Sequence, residues 1–542
     1  MTESPPAEAA EDTPKAAAEL AAEGLYAWLS TSDHKVIGRI WIRLSLLLLA
    51  AATIIGTVVA FEQTDTTGID IFGGTNAYVQ MWSLYRIGMV LLVVAPLFIG
   101  IATVIVPMQV GSTNIAFPRA ALAAAWGYVF GALVLVISVI VGGGWGAVDG
   151  VSTQEAEAIE LTLLGTGIVI GSIMLASVCL ATTVISLRTP GMGLAKAPLF
   201  AWSMLVTCTV WLFTLPVVIA NLIIVTVDLR GGPLAFGNPE GSTQIYEQIA
   251  WIVEQPQLYS FALPVLGIIG SIVPVVAQGR HASHAGAMIV IGLAGLLSIG
   301  GWSQPFFADG RDDFLFIAFG LVAVVPVLAT MGLAGLTLFT GDAPVGIPPA
   351  PMAGALGGGL VLLLATTIGA LRVIDPLDLI GTTADTAVFS LTVFGAIVGA
   401  VAALWFWEPK LNGRELSNLQ GLGVVTMFLG AGVLTGVAGL IAGFDETPDD
   451  LIGDFGNPTD AMTVIAAIGM ILSIAGVLGI VGAGLQSLRG GATGADDPWN
   501  GHTLEWATAT PVPTDNFAGP LARVTSEAPL LDAPADADGE DS

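Results

Sequence analysis

Apolar runs long enough to cross a bilayer recur along most of this chain, and that feature excludes nearly every fold open to a soluble protein. A helix needs about 20 apolar residues to span the hydrocarbon layer. Such runs stand at about 40–61, 83–107, 120–142, 161–186, 199–227, 248–278, 286–301, 314–340, 350–372, 386–408, 421–443 and 461–486. They make twelve candidate spans, of which the seventh is the shortest. Charged residues are only 11% of the chain, against about 25% in soluble domains. Lipid cannot satisfy a backbone amide, so each run must close its hydrogen bonds as a helix. The expected fold is all-α, a polytopic membrane protein with a bundle of twelve transmembrane helices.

The remaining segments divide the chain. Residues 1–30 are rich in Ala, Glu and Pro and lack a basic stretch followed by an apolar core, so they read as a disordered acidic tail and not a signal peptide. Residues 31–489 form the twelve-helix domain, and 490–542 a polar, Pro-interrupted extension expected to wrap one face as loop. No internal repeat is evident. Loops on the side of residue 1 hold Lys35, Arg39, Arg43, Arg119, Arg188, Lys196, Arg280, Lys410, Arg414 and Arg489. The opposite loops hold Arg230, Arg311, Arg372 and most clustered acids. Bases favour the cytoplasmic side, so both termini are expected in the cytoplasm, with the bundle in the plasma membrane. The formal charge of −27 argues against nucleic acid as a partner, because a polyanion needs a basic face. Cys179 and Cys208 sit inside apolar runs and read as small buried hydrophobes.

Several strings resemble subunit I of the heme-copper respiratory oxidases, the cytochrome c oxidase family. They are Asp33-His34-Lys35-Val36-Ile37-Gly38, Ala116-Phe117-Pro118-Arg119, Arg188-Thr189-Pro190-Gly191-Met192 and Pro198-Leu199-Phe200-Ala201-Trp202-Ser203. Further on stand Trp407-Glu408-Pro409-Lys410-Leu411-Asn412-Gly413-Arg414 and the tail from Asp497 to Thr508. They occur in family order at family spacing over about residues 31–517. The resemblance implies two hemes and a copper ion held by six histidines, because neutral imidazole ligates iron or copper well in a low-dielectric bundle.

This chain has four histidines in all, His34, His281, His284 and His502, and none falls at a ligand position. Carried over by the resemblance, those positions read Tyr85, Gln255, Gln304, Pro305, Ala387 and Phe389. The positions of the family's proton-carrying acids and lysine read Asn114, Gln257 and Thr330, which cannot titrate as an acid or amine would. The arginine pair for heme propionates aligns with Asp445-Glu446, which would repel them. No cofactor is therefore expected, with a lipid or quinone as a possible bound molecule. The vacated space is expected to be filled by Phe389, Tyr85, Phe306 and Phe307.

Of the other candidates, His34, Trp499, His502 and Trp506 lie in retained strings and are expected at an interface. Arg86, Glu254, Gln257 and Tyr259 are polar groups at membrane depth, where such groups tend to be functional, and Arg86 with Glu254 can form a buried ion pair. His281 and His284 have no third ligand nearby and read as a solvated loop. The expectation is a heme-free, non-catalytic structural or accessory subunit of a respiratory complex. Its partners would be other membrane subunits, oxidase subunit II- or III-like or a second subunit I, together with lipids. The alternatives are a redox-active oxidase subunit with atypical ligands, and an ion or proton channel or carrier.

Overall fold

The computed structural model describes residues 29–64, 71–72, 75–145, 156–231, 249–299, 314–342, 346–449, 457–490 and 493–532. Most of the expected disordered tail, and the candidate positions Gln304, Pro305, Phe306 and Phe307, lie outside these described residues. Eleven described helices are long and apolar enough to cross a membrane: α1 (His34–Glu62), α2 (Ala77–Gln109), α3 (Pro118–Ile140), α4 (Glu157–Ser186), α5 (Leu199–Val227), α6 (Tyr259–Val276), α8 (Phe314–Thr340), α9 (Ala350–Arg372), α10 (Thr383–Asn412), α11 (Asn418–Phe444) and α12 (Asp460–Arg489). The seventh apolar run forms the shorter helix α7 (His284–Ser298). The chain is an all-helical, multi-pass membrane bundle.

Local chemistry sets the helix ends. The Asp33 side chain accepts from Lys35 N to cap α1, and Thr382 accepts from Ala384 N to cap α10. Gly413, with φ of 74°, closes α10 in the left-handed conformation that a side chain disfavours. The sixth run is shorter as a helix than its apolar length suggests, because residues 251–258 form irregular turns. Such backbone is tolerated at depth only when protein surrounds it, and Trp251, Ile252, Val253, Gln255, Gln257 and Leu258 are all buried. α2 carries a π-helical turn at Met89–Val94, within which the Leu92 carbonyl accepts from the Tyr128 hydroxyl at 2.6 Å.

The hydrophobic windows of α2 and α10 are wholly enclosed by the other helices. Close approach at the centre depends on small residues. A Cβ on Gly358 of α9 would stand 2.9 Å from the Gly395 carbonyl and 3.0 Å from Gly399 N on α10. Only glycine admits that backbone contact.

The described part of the extension, residues 493–532, packs across the end of the bundle where α1 begins. His34 is fully buried, its Nδ1 2.9 Å from the Thr103 carbonyl and its Nε2 3.0 Å from Asn516 Oδ1 of the extension. Lys35 Nζ donates to the Thr514 carbonyl at 3.1 Å. Trp499 Nε1 donates to the Phe406 carbonyl at 3.1 Å, and the Phe406 ring lies 5.1 Å from that of Trp506. His34, Trp499, His502 and Trp506, the residues expected at an interface, all have contacts within the chain itself. His34, His502 and Trp506 are buried and Trp499 is half-buried within the chain.

Candidate functional site

α2 and α10 bring the first set of sequence-selected residues together. The Tyr85 and Phe389 rings meet edge to face at 5.9 Å between centroids. Phe389 is 1% exposed, and Ala387, two residues before it, is fully buried. Across from them, a Cβ on Gly56 of α1 would stand 2.6 Å from Met470 Cε on α12, so α1 and α12 close tightly over this ring pair. The Tyr85 hydroxyl donates to Met470 Sδ at 3.8 Å. A cavity of about 80 Å³ is left beside Tyr85, Phe389 and Met470.

The second set lies at the start of α6. Gln255 Nε2 donates to the Gly369 carbonyl of α9 at 3.0 Å, and the Tyr259 hydroxyl donates to Gln255 Oε1 at 2.8 Å. Gln257 Nε2 donates to Thr214 Oγ1 at 3.0 Å and Ser260 Oγ at 3.2 Å. These neutral amides tie the start of α6 to α5 and α9: Gln255 both donates and accepts, while Gln257 only donates, its buried Oε1 having no partner among the described residues. The space beside Tyr259 towards Leu297, Val327 and Thr366 is about 30 Å³.

Between the two sets runs a chain of buried charges in the order Asp449, Arg86, Glu254, Arg372, Asp385. Arg86 pairs with Asp449 and, at 2.7 Å, with Glu254; Glu254 lies 3.5 Å from Arg372, which pairs with Asp385. No side chain in it is more than 15% exposed. The charges alternate, so each guanidinium lies between two carboxylates. Three acids against two bases leave one formal negative charge, and the start of α10 offsets it. Gly381 N donates to Asp385 Oδ2 at 2.8 Å and Thr386 N to Asp449 Oδ1 at 3.0 Å, which places both end carboxylates at the positive end of the helix dipole. Arg86 also lies 4.5 Å over the Trp82 ring and 5.1 Å over Phe389, so the charge chain and the ring pair are one packed unit.

Sequence reasoning selected Arg86 and Glu254 but missed Arg372, Asp385 and Asp449. All three stand at the ends of apolar runs, where an ionisable residue passes for loop. Asp445 and Glu446, which the resemblance aligns with the propionate-binding arginines, are exposed, whereas Asp449 on the same loop turns in. His281 and His284 lie outside the core, and burial pushes His281 down to about 4. Among the described residues no group of three His, Cys, Asp or Glu side chains can hold a metal ion.

The comparisons agree with this architecture. The chain matches the family described as cytochrome c and quinol oxidase polypeptide I over residues 36–481, and it belongs to that family. A Streptomyces coelicolor relative, described as a cytochrome c oxidase subunit 1-beta, is 30% identical over 94% of this chain and 90% of its own. Cytochrome c oxidase subunit 1 of Corynebacterium efficiens is 28% identical over 94% of this chain and 90% of its own. A solved heme-copper terminal oxidase dimer shares the fold, with a TM-score of 0.65 at 15% identity over 84% of each chain.

The family's hemes do not fit these residues. No histidine lines either core cavity. The ring pair occupies the gap between α2 and α10, and a ligand of heme size needs on the order of several hundred Å³, beyond either space.

Proposed function

We propose that this chain is a heme-free, non-catalytic member of the subunit I family that acts as a structural or accessory subunit of a terminal-oxidase type respiratory complex. The observation that carries the reading is the Tyr85–Phe389 contact with Arg86 above it. Apolar packing and a neutralised charge chain stand where a prosthetic group would need imidazole and room. Gln255 and Gln257 support it, because both serve as helix-to-helix hydrogen-bonding groups. The partners are other integral subunits, II- or III-like or a second subunit I, in a bacterial-type plasma membrane with both termini in the cytoplasm. The apolar groove of about 240 Å³ between α1, α2 and α3, lined by Ala51, Ile55, Leu84, Tyr85, Val136 and Ile140, suits a lipid or quinone tail.

The test is a pyridine hemochrome assay and metal analysis on chain purified from native membranes. The expected result is heme and copper far below one per chain. Stoichiometric heme with copper sinks the proposal and returns the redox-active alternative.

A further inference from the structure

The charge balance of this chain makes an unpaired base conspicuous, since 43 acids face 16 bases. Arg39 and Arg43 of α1 have no ion-pair or hydrogen-bond partner among the described residues, and Arg39 Nε is buried without an acceptor. Four residues apart, they share one helix face about 6 Å apart along the axis. The nearby carboxylates are engaged elsewhere. Asp33 pairs with Lys35 at 2.9 Å, and both Glu408 oxygens accept from the Asn412 amide at 3.0 Å.

Depth in the membrane decides what can meet them. Polar Glu62 and Gln63 end α1, and about 20 residues of helix fill the hydrocarbon layer, so counting back puts the other boundary near Ile42. Arg43, exposed on the lipid side, stands at that boundary, and Arg39 one turn beyond it at head-group level. Exposed Leu47 and Ile54 continue the same side towards the membrane centre. A guanidinium pair at this depth, with apolar side chains below it, matches a phosphate whose ester carries acyl chains. We infer that Arg39 and Arg43 form a binding site for a phosphate-bearing anion, supplied at this depth by the head group of an anionic phospholipid.

The full chain in mild detergent is titrated with phosphatidylglycerol, with phosphatidylcholine and with inorganic phosphate, and bound molecules are counted by native mass spectrometry. The expected result is preferential retention of phosphatidylglycerol, weakened about fivefold by each of Arg39→Gln and Arg43→Gln and kept by the double lysine variant. Unchanged retention in the double glutamine variant overturns the site. Inorganic phosphate displacing the lipid at equal concentration overturns the lipid as its source. Melting temperature is followed in parallel. Loss in the glutamine variants with retention in the lysine variant identifies the charge, and equal loss in both overturns it.

Discussion

Phe389, which the resemblance aligns with a ligand position, is a buried packing residue. It touches Tyr85 edge on and supports the Arg86 guanidinium on its face, so truncation removes apolar contact and a cation–π partner together. Phe389→Ala is expected to cost about 3 to 5 kcal/mol, read as a clear drop in melting temperature; an unchanged melt would remove it from the core packing. Glu254 is the shared link between two guanidiniums, and Glu254→Gln leaves Arg86 and Arg372 with one carboxylate each. Breaking a buried pair costs about 3 to 5 kcal/mol because the partner's charge stays buried. The expected outcome is a larger melting-temperature loss for Glu254→Gln than for Glu160→Gln, which removes the exposed pair with Arg230.

At the scale of elements, the extension and the irregular start of α6 do work that regular helices cannot. Glu505 of the extension accepts from Gln109 Nε2 at 3.0 Å and from Trp407 Nε1 at 3.3 Å. Burial nevertheless raises its carboxyl above the usual 4.5. A raised carboxyl favours the protonated folded form, so stability is lost as pH rises through 4.5 towards the folded-state value. Glu505→Gln is therefore expected to melt at or above the parent at neutral pH, with the difference shrinking as pH falls from the raised folded-state value towards 4.5. A variant that gains on the parent on acidification would contradict this. His34 joins α1 and the extension through Asn516. His34→Ala is expected to free the segment around residue 516 for proteolysis while the bundle stays intact, read by limited digestion and mass spectrometry.

For the whole molecule, the proposed scaffold role is tested by what the bundle holds. Copurification in mild detergent is expected to bring down other integral subunits, and a monodisperse, fully stable monomer from native membranes would count against the scaffold reading. Orientation is testable separately: a single cysteine engineered at a described exposed position of the extension should label from the cytoplasmic side only.

Sequence alone determined the number and order of the helices and the family, because apolar length and local strings depend on near neighbours. It also fixed the histidine count at four, against the six that the resemblance implies, which is a matter of residue type. Arg86 and Glu254 were legible because a charge inside an apolar run is conspicuous. Arg372, Asp385 and Asp449 were not, since a charge at the end of a run looks the same whether it faces water or protein. Only the tertiary structure decided that these three turn inward, that Asp445 and Glu446 stay outside, and that Trp506 docks on its own bundle. Those outcomes depend on contacts between residues up to 363 positions apart in the chain, where pairing and desolvation are settled together by the packing of the helices and not by any local pattern.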